Sequence, residues 1–122
     1  MYNAISQWID SLPLESVSEE VVAFCFNLYD NYDNLNWSMD LVGASRFDLD
    51  DQDWPCDEAA VFGLGDERFC WEREAEWDVV LDEVAEALKL YLSKGKYAHV
   101  LNGKRGVAAG FDDGDLVILK SE

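Results

Sequence analysis

Between Tyr2 and Leu12 the apolar residues Tyr2, Ile5, Trp8, Ile9 and Leu12 recur at the spacing of one helix face, and Pro13 closes the segment. A short amphipathic helix is expected there. Ser16 followed by Glu19 is a capping-box pattern, in which each side chain satisfies a free N–H group at a helix start. It predicts a second helix through VVAFCFNLYD, with Val21, Cys25 and Leu28 on one stripe and Val22, Phe26 and Tyr29 widening it. The cluster DNYDN then stops the helix, because Asp and Asn bond their own backbone in turns.

From Leu35 the period changes to two. Leu35, Trp37, Met39 and Leu41 alternate with Asn36, Ser38 and Asp40, and the odd positions resume at Phe47 and Leu49. The pattern predicts one long strand bent or bulged near Gly43, or two strands sharing a turn there. Ala59 to Leu64 and Phe69 to Trp71 are short apolar runs around the turn-forming GDER, which suggests a hairpin. In EAEWDVVLDEVAEALKLYLSKG a long helix is expected with Trp77, Val80, Leu81, Val84, Leu88, Tyr91 and Leu92 on one face. Acids lead that helix, Lys89 and Lys94 come late, and Gly95 stands ready as its cap.

KYAHVLNG reads as a short helix or turn, and GVAAGFDDGDLVILK as a hairpin on the Asp113-Gly114 pair, with Phe111 facing Leu116 and Ala109 facing Ile118. The order of elements predicts one α+β domain over residues 1–122. Its sheet is mostly antiparallel, with two N-terminal helices and one long helix packed on it, and a C-terminal β-hairpin.

Charge changes this picture more than composition does. With 26 acidic and 9 basic residues among 122, the formal net charge is -17, which attracts positive partners and opposes direct binding to nucleic acid or an anionic membrane surface. Residues 1–45 contain no Lys or Arg, while Lys89, Lys94, Lys96, Lys104 and Arg105 gather later, where a helix C-terminus favours them. Half the residues are hydrophobic (49%), so the chain is globular and not an acidic tail. Cys25, Cys56 and Cys70 are an odd number without C-x-x-C spacing, and no charged-then-apolar leader precedes them. The expectation is a soluble, cytoplasmic protein with no apolar run near the ~20 residues that span a bilayer.

Candidate chemistry is sparse. DLDDQD superficially matches a calcium loop, but counting from Asp48 the sixth position is Asp53 and the twelfth is Ala59, so the turn glycine and the closing glutamate are missing. No metal site, cofactor or phosphate loop is expected. His99 is the only histidine and has no evident nucleophile: Cys25 lies in an apolar stripe and Ser93 at a helix end. No catalytic residue is assigned. Trp54, beside Pro55 in an acidic loop, either pins that loop to the core or stands out as an interface anchor.

The segments FDLDDQDWPCDEAAVF and YLSKGKYAHVLNGKRGVAAGFDDGDLVIL resemble small acidic bacterial immunity proteins of polymorphic-toxin and contact-dependent growth inhibition systems. The resemblance rests on the DWPCDE loop, the GKYA turn and the GFDDGDL hairpin. It implies a protein that is not an enzyme and that neutralises a cognate toxin C-terminal domain, a basic nuclease and foremost a ribonuclease, by covering its active or substrate-binding surface. The contact region expected is Asp48, Asp50, Asp51, Asp53, Trp54, Asp57 and Glu58, with Glu74, Glu76, Asp78 and Glu83 on the long helix as the alternative face. Readings from other classes are a small carboxylate-based metal-binding enzyme and a generic acidic adaptor.

Overall fold

The computed structural model describes residues 1–31, 33–111 and 114–121. Among them, one mixed sheet of six strands carries three α-helices, an α+β architecture. In chain order these are α1 (Tyr2–Asp10), β1 (Ala23–Asp30), β2 (Asn36–Ala44), β3 (Glu58–Phe62), β4 (Phe69–Glu72), α2 (Trp77–Lys94), α3 (Ala98–Asn102), β5 (Gly106–Phe111) and β6 (Val117–Ser121). The sheet order is β3-β2-β1-β5-β6, and β4 also pairs with β2.

The segment expected as a second helix is β1, the strand on which the sheet is centred. β2 runs antiparallel beside it and β5 runs parallel, from Ala23 opposite Gly106 to Leu28 opposite Phe111, so the sheet is mixed. A strand covered on both faces is apolar at nearly every position, and such a run has no period of two to show. Ser16 ends a 3-10 turn (Leu14–Ser16) instead of opening a helix.

Two further expectations change. β3 and β4 do not form a hairpin. Both lie antiparallel to β2, β3 along its Leu41–Ala44 half and β4 along its Asn36–Met39 half, as one edge strand interrupted by a short 3-10 excursion. The strand expected from Leu35 is irregular next to Gly43, where its register with β3 shifts, but it stops at Ala44 and does not resume towards Leu49. Phe47 beyond it turns into a second core, and Leu49 is exposed.

The C-terminal hairpin forms, with a register shift between Val107 and Ala108, so Ala109 faces Val117 and Ala108 faces Ile118. Asp113 of the expected turn lies outside the described residues. In α2 the predicted face is buried except at its ends: Leu92 is half-buried, and Trp77 is 55% exposed, its ring edge-on to Phe111.

The two sheet faces carry side chains of different size. Phe24, Phe26 and Leu28 of β1, Trp37, Met39 and Leu41 of β2, and Val107, Ala109 and Phe111 of β5 meet Ile5 and Ile9 of α1, Val80, Val84 and Leu88 of α2, and Leu101 of α3. This is the main core. Tyr91 ties it to the N-terminal segment, donating its hydroxyl to Asp10 Oδ1 at 2.7 Å and accepting from the Tyr97 N–H at 3.0 Å. Gly95 lets the chain pass that ring, since a Cβ there would lie 2.4 Å from Tyr91.

The opposite face is floored by Ala23, Cys25, Ala44 and Ala108. Into that floor the loop after β2 places Phe47 and Trp54, whose rings meet edge-on at 5.1 Å. Trp54 is 1% exposed. Gly106 belongs to the same fit, because a Cβ at this position would stand 2.1 Å from the Phe47 ring. Truncating a buried Trp removes its transfer free energy and leaves a cavity, so Trp54→Ala is expected to cost about 3–5 kcal/mol in urea unfolding. Gly106→Ala should also destabilise by displacing Phe47; a variant pair with native midpoints would contradict this packing.

Candidate functional site

The acidic loop is built by its own short-range hydrogen bonds. Asp48 Oδ1 accepts from the Asp50 N–H at 2.9 Å and Asp51 Oδ1 from the Asp53 N–H at 2.9 Å, the Asx turns that acids of this spacing favour. Pro55 sits in the first turn of a 3-10 segment (Trp54–Cys56), where its missing N–H costs nothing. At the base of the loop the Ser45 N–H and hydroxyl both donate to the Asp57 carbonyl, at 2.7 and 3.0 Å. Its ends meet and its aromatics pack inward, the habit of a compact Ω-type loop.

Arg46 divides the acids into two groups. Its guanidinium donates to Asp51 Oδ2 at 2.9 Å and to Asp57 Oδ2, so these two carboxylates close the loop on itself. The Asp53 N–H first, and Arg46 next, hold the Asp51 carboxyl below its ordinary pKa. Asp48, Asp50, Asp53 and Glu58 are exposed, and among the described residues they form no ion pair. Trp54 faces inward, which removes it from the expected contact set as a surface anchor.

Beside the loop, Asp53, Glu58 and Asp115 line one recess of about 620 Å³ together with Asn27, Gln52 and Leu116. Gln52 Oε1 accepts from the Leu116 N–H at 2.8 Å and joins the loop to the segment before β6. Among the described residues no basic side chain lines the recess. On the alternative face, Glu74, Glu76 and Asp78 are exposed around the start of α2, where acids complement the helix dipole. Glu83 is engaged by Arg73 through a two-nitrogen ion pair, with Nε and Nη2 at 3.1 Å from Oε1 and Oε2 respectively. Each acidic set thus has members held by an arginine: Asp51 and Asp57 by Arg46, and Glu83 by Arg73.

A buried polar cluster on the small-residue face was not visible in the sequence pattern. Asp40, a polar position of an alternating strand, is 1% exposed. Its Oδ2 accepts from the Tyr29 hydroxyl at 3.0 Å and lies 3.7 Å from Arg68 Nε, while the Arg68 guanidinium stacks 4.2 Å from the Tyr29 ring centre. Among the described residues Asp40 Oδ1 and Arg68 Nε have no hydrogen-bond partner. Burial raises the Asp40 carboxyl above its ordinary pKa, against the Tyr29 hydrogen bond and the Arg68 charge. Both faces of β2 are covered, so its polar alternates do not all reach water.

Cys25 is buried and its thiol is pushed up to about 12, foremost by burial and then by the nearby Asp40 and Cys56. Cys56 and Cys70 are free and exposed. His99 is exposed on α3. Among the described residues no three His, Cys, Asp or Glu side chains are grouped to hold a metal ion, and no helix is long and apolar enough to cross a membrane. Comparison with protein-family models, curated proteins and solved structures finds no match to this chain.

Two outcomes follow. The folded chain keeps the Asp40 proton to higher pH than the unfolded chain does, so this residue's contribution to stability falls as pH rises from about 4 through its raised pKa and stays lost above it. Asp40→Asn cannot titrate; urea unfolding at stepped pH should show the variant gaining on the native protein across that window. A constant difference would contradict the buried carboxylate. Because the thiolate is the reactive form, a thiol reagent should modify Cys56 and Cys70 in the native protein and reach Cys25 only on unfolding.

Proposed function

We propose that this chain is a non-enzymatic immunity protein that binds a basic toxin domain and covers its active or substrate-binding surface, with the Asp48 to Glu58 loop as the contact region. The observation that carries the reading is the convergence of Asp53 and Glu58 with Asp115 in a recess that holds no basic side chain among the described residues. Such a recess suits the ammonium or guanidinium groups that a nuclease uses to bind phosphates. The net charge of -17 adds long-range attraction, which speeds association and makes it depend on salt.

The loop acids divide their labour in this reading. Asp48, Asp50, Asp53 and Glu58 face the partner, Asp51 and Asp57 hold Arg46 and so the loop shape, and Trp54 supports the loop from beneath. Preorganisation matters here because a loop ordered before binding loses less conformational entropy on binding. The family resemblance supplies the toxin and its ribonuclease class; the charge supplies the sign of the partner. A partner enzyme covered in this way needs no chemistry from this chain.

The test is titration with the toxin domain encoded beside this gene. Nanomolar binding that weakens as salt rises is expected. Reversing Asp48, Asp50 and Asp53 together to Lys should weaken it about a hundredfold, on roughly 1 kcal/mol per reversed rim charge. Salt-insensitive binding, no binding, or full affinity and protection in the triple variant would overturn the reading; in the last case Glu74, Glu76 and Asp78 would become the contact acids.

A further inference from the structure

A second surface has a different chemistry from the loop. Between α1, β4 and α2 runs an open groove of about 980 Å³, floored by Tyr2, Phe69, Trp71, Ala87 and Leu90. Leu90 is 41% exposed, and the Trp71 indole N–H is buried with no acceptor among the described residues. Four carboxylates, Glu72, Asp82, Glu83 and Glu86, line the groove with the Arg73 guanidinium and the N-terminal residue Met1. Arg73 is spent on Glu83, and Lys89 reaches Glu86 only at 3.4 Å between two exposed side chains, a pairing worth little in water.

We infer that this groove docks a basic helical segment of a partner protein, about two turns long, with an apolar face turned to Leu90 and Trp71. Length and charge both argue for that occupant. From Asp82 to Leu90 the α2 wall is about 12 Å at 1.5 Å per residue, which matches two helical turns lying alongside it. An apolar floor takes the i, i+3, i+4 side chains of an amphipathic helix, and an acidic rim takes the Lys or Arg residues that flank them. A polar or acidic segment would leave the floor unfilled or the rim charges opposed. The inference extends the reading of this chain as a binder of a basic protein, at a face separate from the loop.

The probe is a synthetic 18-residue Lys/Leu peptide of helical periodicity, compared with a scrambled peptide of the same composition, at 0.15 M salt by calorimetry. The native protein is expected to bind the periodic peptide at least about tenfold tighter than the scramble. Leu90→Asp separates the floor from the charge, since it makes the protein more acidic while spoiling the apolar surface. It should weaken the periodic peptide about tenfold, with circular dichroism checking that the fold is kept, whereas the loop variant Asp48→Lys/Asp50→Lys/Asp53→Lys should retain a preference of about tenfold or more for the periodic peptide over the scramble. Equal binding of both peptides, or unchanged or tighter binding by Leu90→Asp, would reduce the effect to charge alone and overturn the inference. So would sedimentation showing a dimer of the native chain that Leu90→Asp dissolves, because a second copy would then be the occupant. Failure here leaves the loop's binding of the toxin domain standing, and failure of the toxin titration leaves this preference measurable.

Discussion

The seating of Phe47 and Trp54 on a floor of small side chains is the contact on which the acidic loop depends. Left to its charges, a run of carboxylates between two strands would extend into water. The magnitudes favour closure: burying a large aromatic side chain stabilises by about 2–3 kcal/mol, while two exposed carboxylates repel by about 1 kcal/mol at 4 Å in water and less when farther apart. Arg46 removes part of the repulsion by binding Asp51 and Asp57 at once. The loop is thereby held while Asp48, Asp50, Asp53 and Glu58 still face solvent.

This constraint reaches back into the sheet. Ala23 and Cys25 in β1, Ala44 in β2 and Ala108 in β5 are small on the face that receives the loop, while Phe24, Phe26, Trp37 and Met39 are large on the face that receives the helices. Farther along the small-residue face lies the polar cluster of Tyr29 and Arg68 around the buried Asp40. One face thus holds the main core, and the other presents acids on a packed base. The groove beside α2 opens at the edge of the main core, where α1 and α2 do not close over Phe69 and Trp71 of β4.

Elements whose apolar residues keep a clear period were legible in the sequence, β2 among them although its polar alternates are buried too. The α1 pattern and the long α2 pattern carry a 3.6 period, and the polar and apolar alternation from Leu35 to Leu41 carries a period of two; all three segments fold as their spacing predicts. β1 was not legible for a physical reason. Its run is apolar on both faces, and the Ser16 and Glu19 pair invited a helix that the pairing of β1 with both β2 and β5 overrides. The separation of β3 from β4 also depends on tertiary pairing, because β2 is long enough to take both along one edge. For the site, the acids themselves were plain to see, but their division was not: that Arg46 occupies Asp51 and Asp57, and that Trp54 lies beneath them, depends on where Ala23, Ala44 and Ala108 leave room.

The central claim is that the acidic loop is part of the folded core and not a solvated strap. Amide hydrogen exchange tests it residue by residue. The N–H groups of Ser45, Cys56 and Asp57, bonded to the Asp57, Asp53 and Trp54 carbonyls, should exchange well below the rates of an unstructured chain, and Trp54→Ala should remove that protection while leaving β1 protected. Exchange of these amides at unstructured rates in the native protein, with β1 fully protected, would contradict the account.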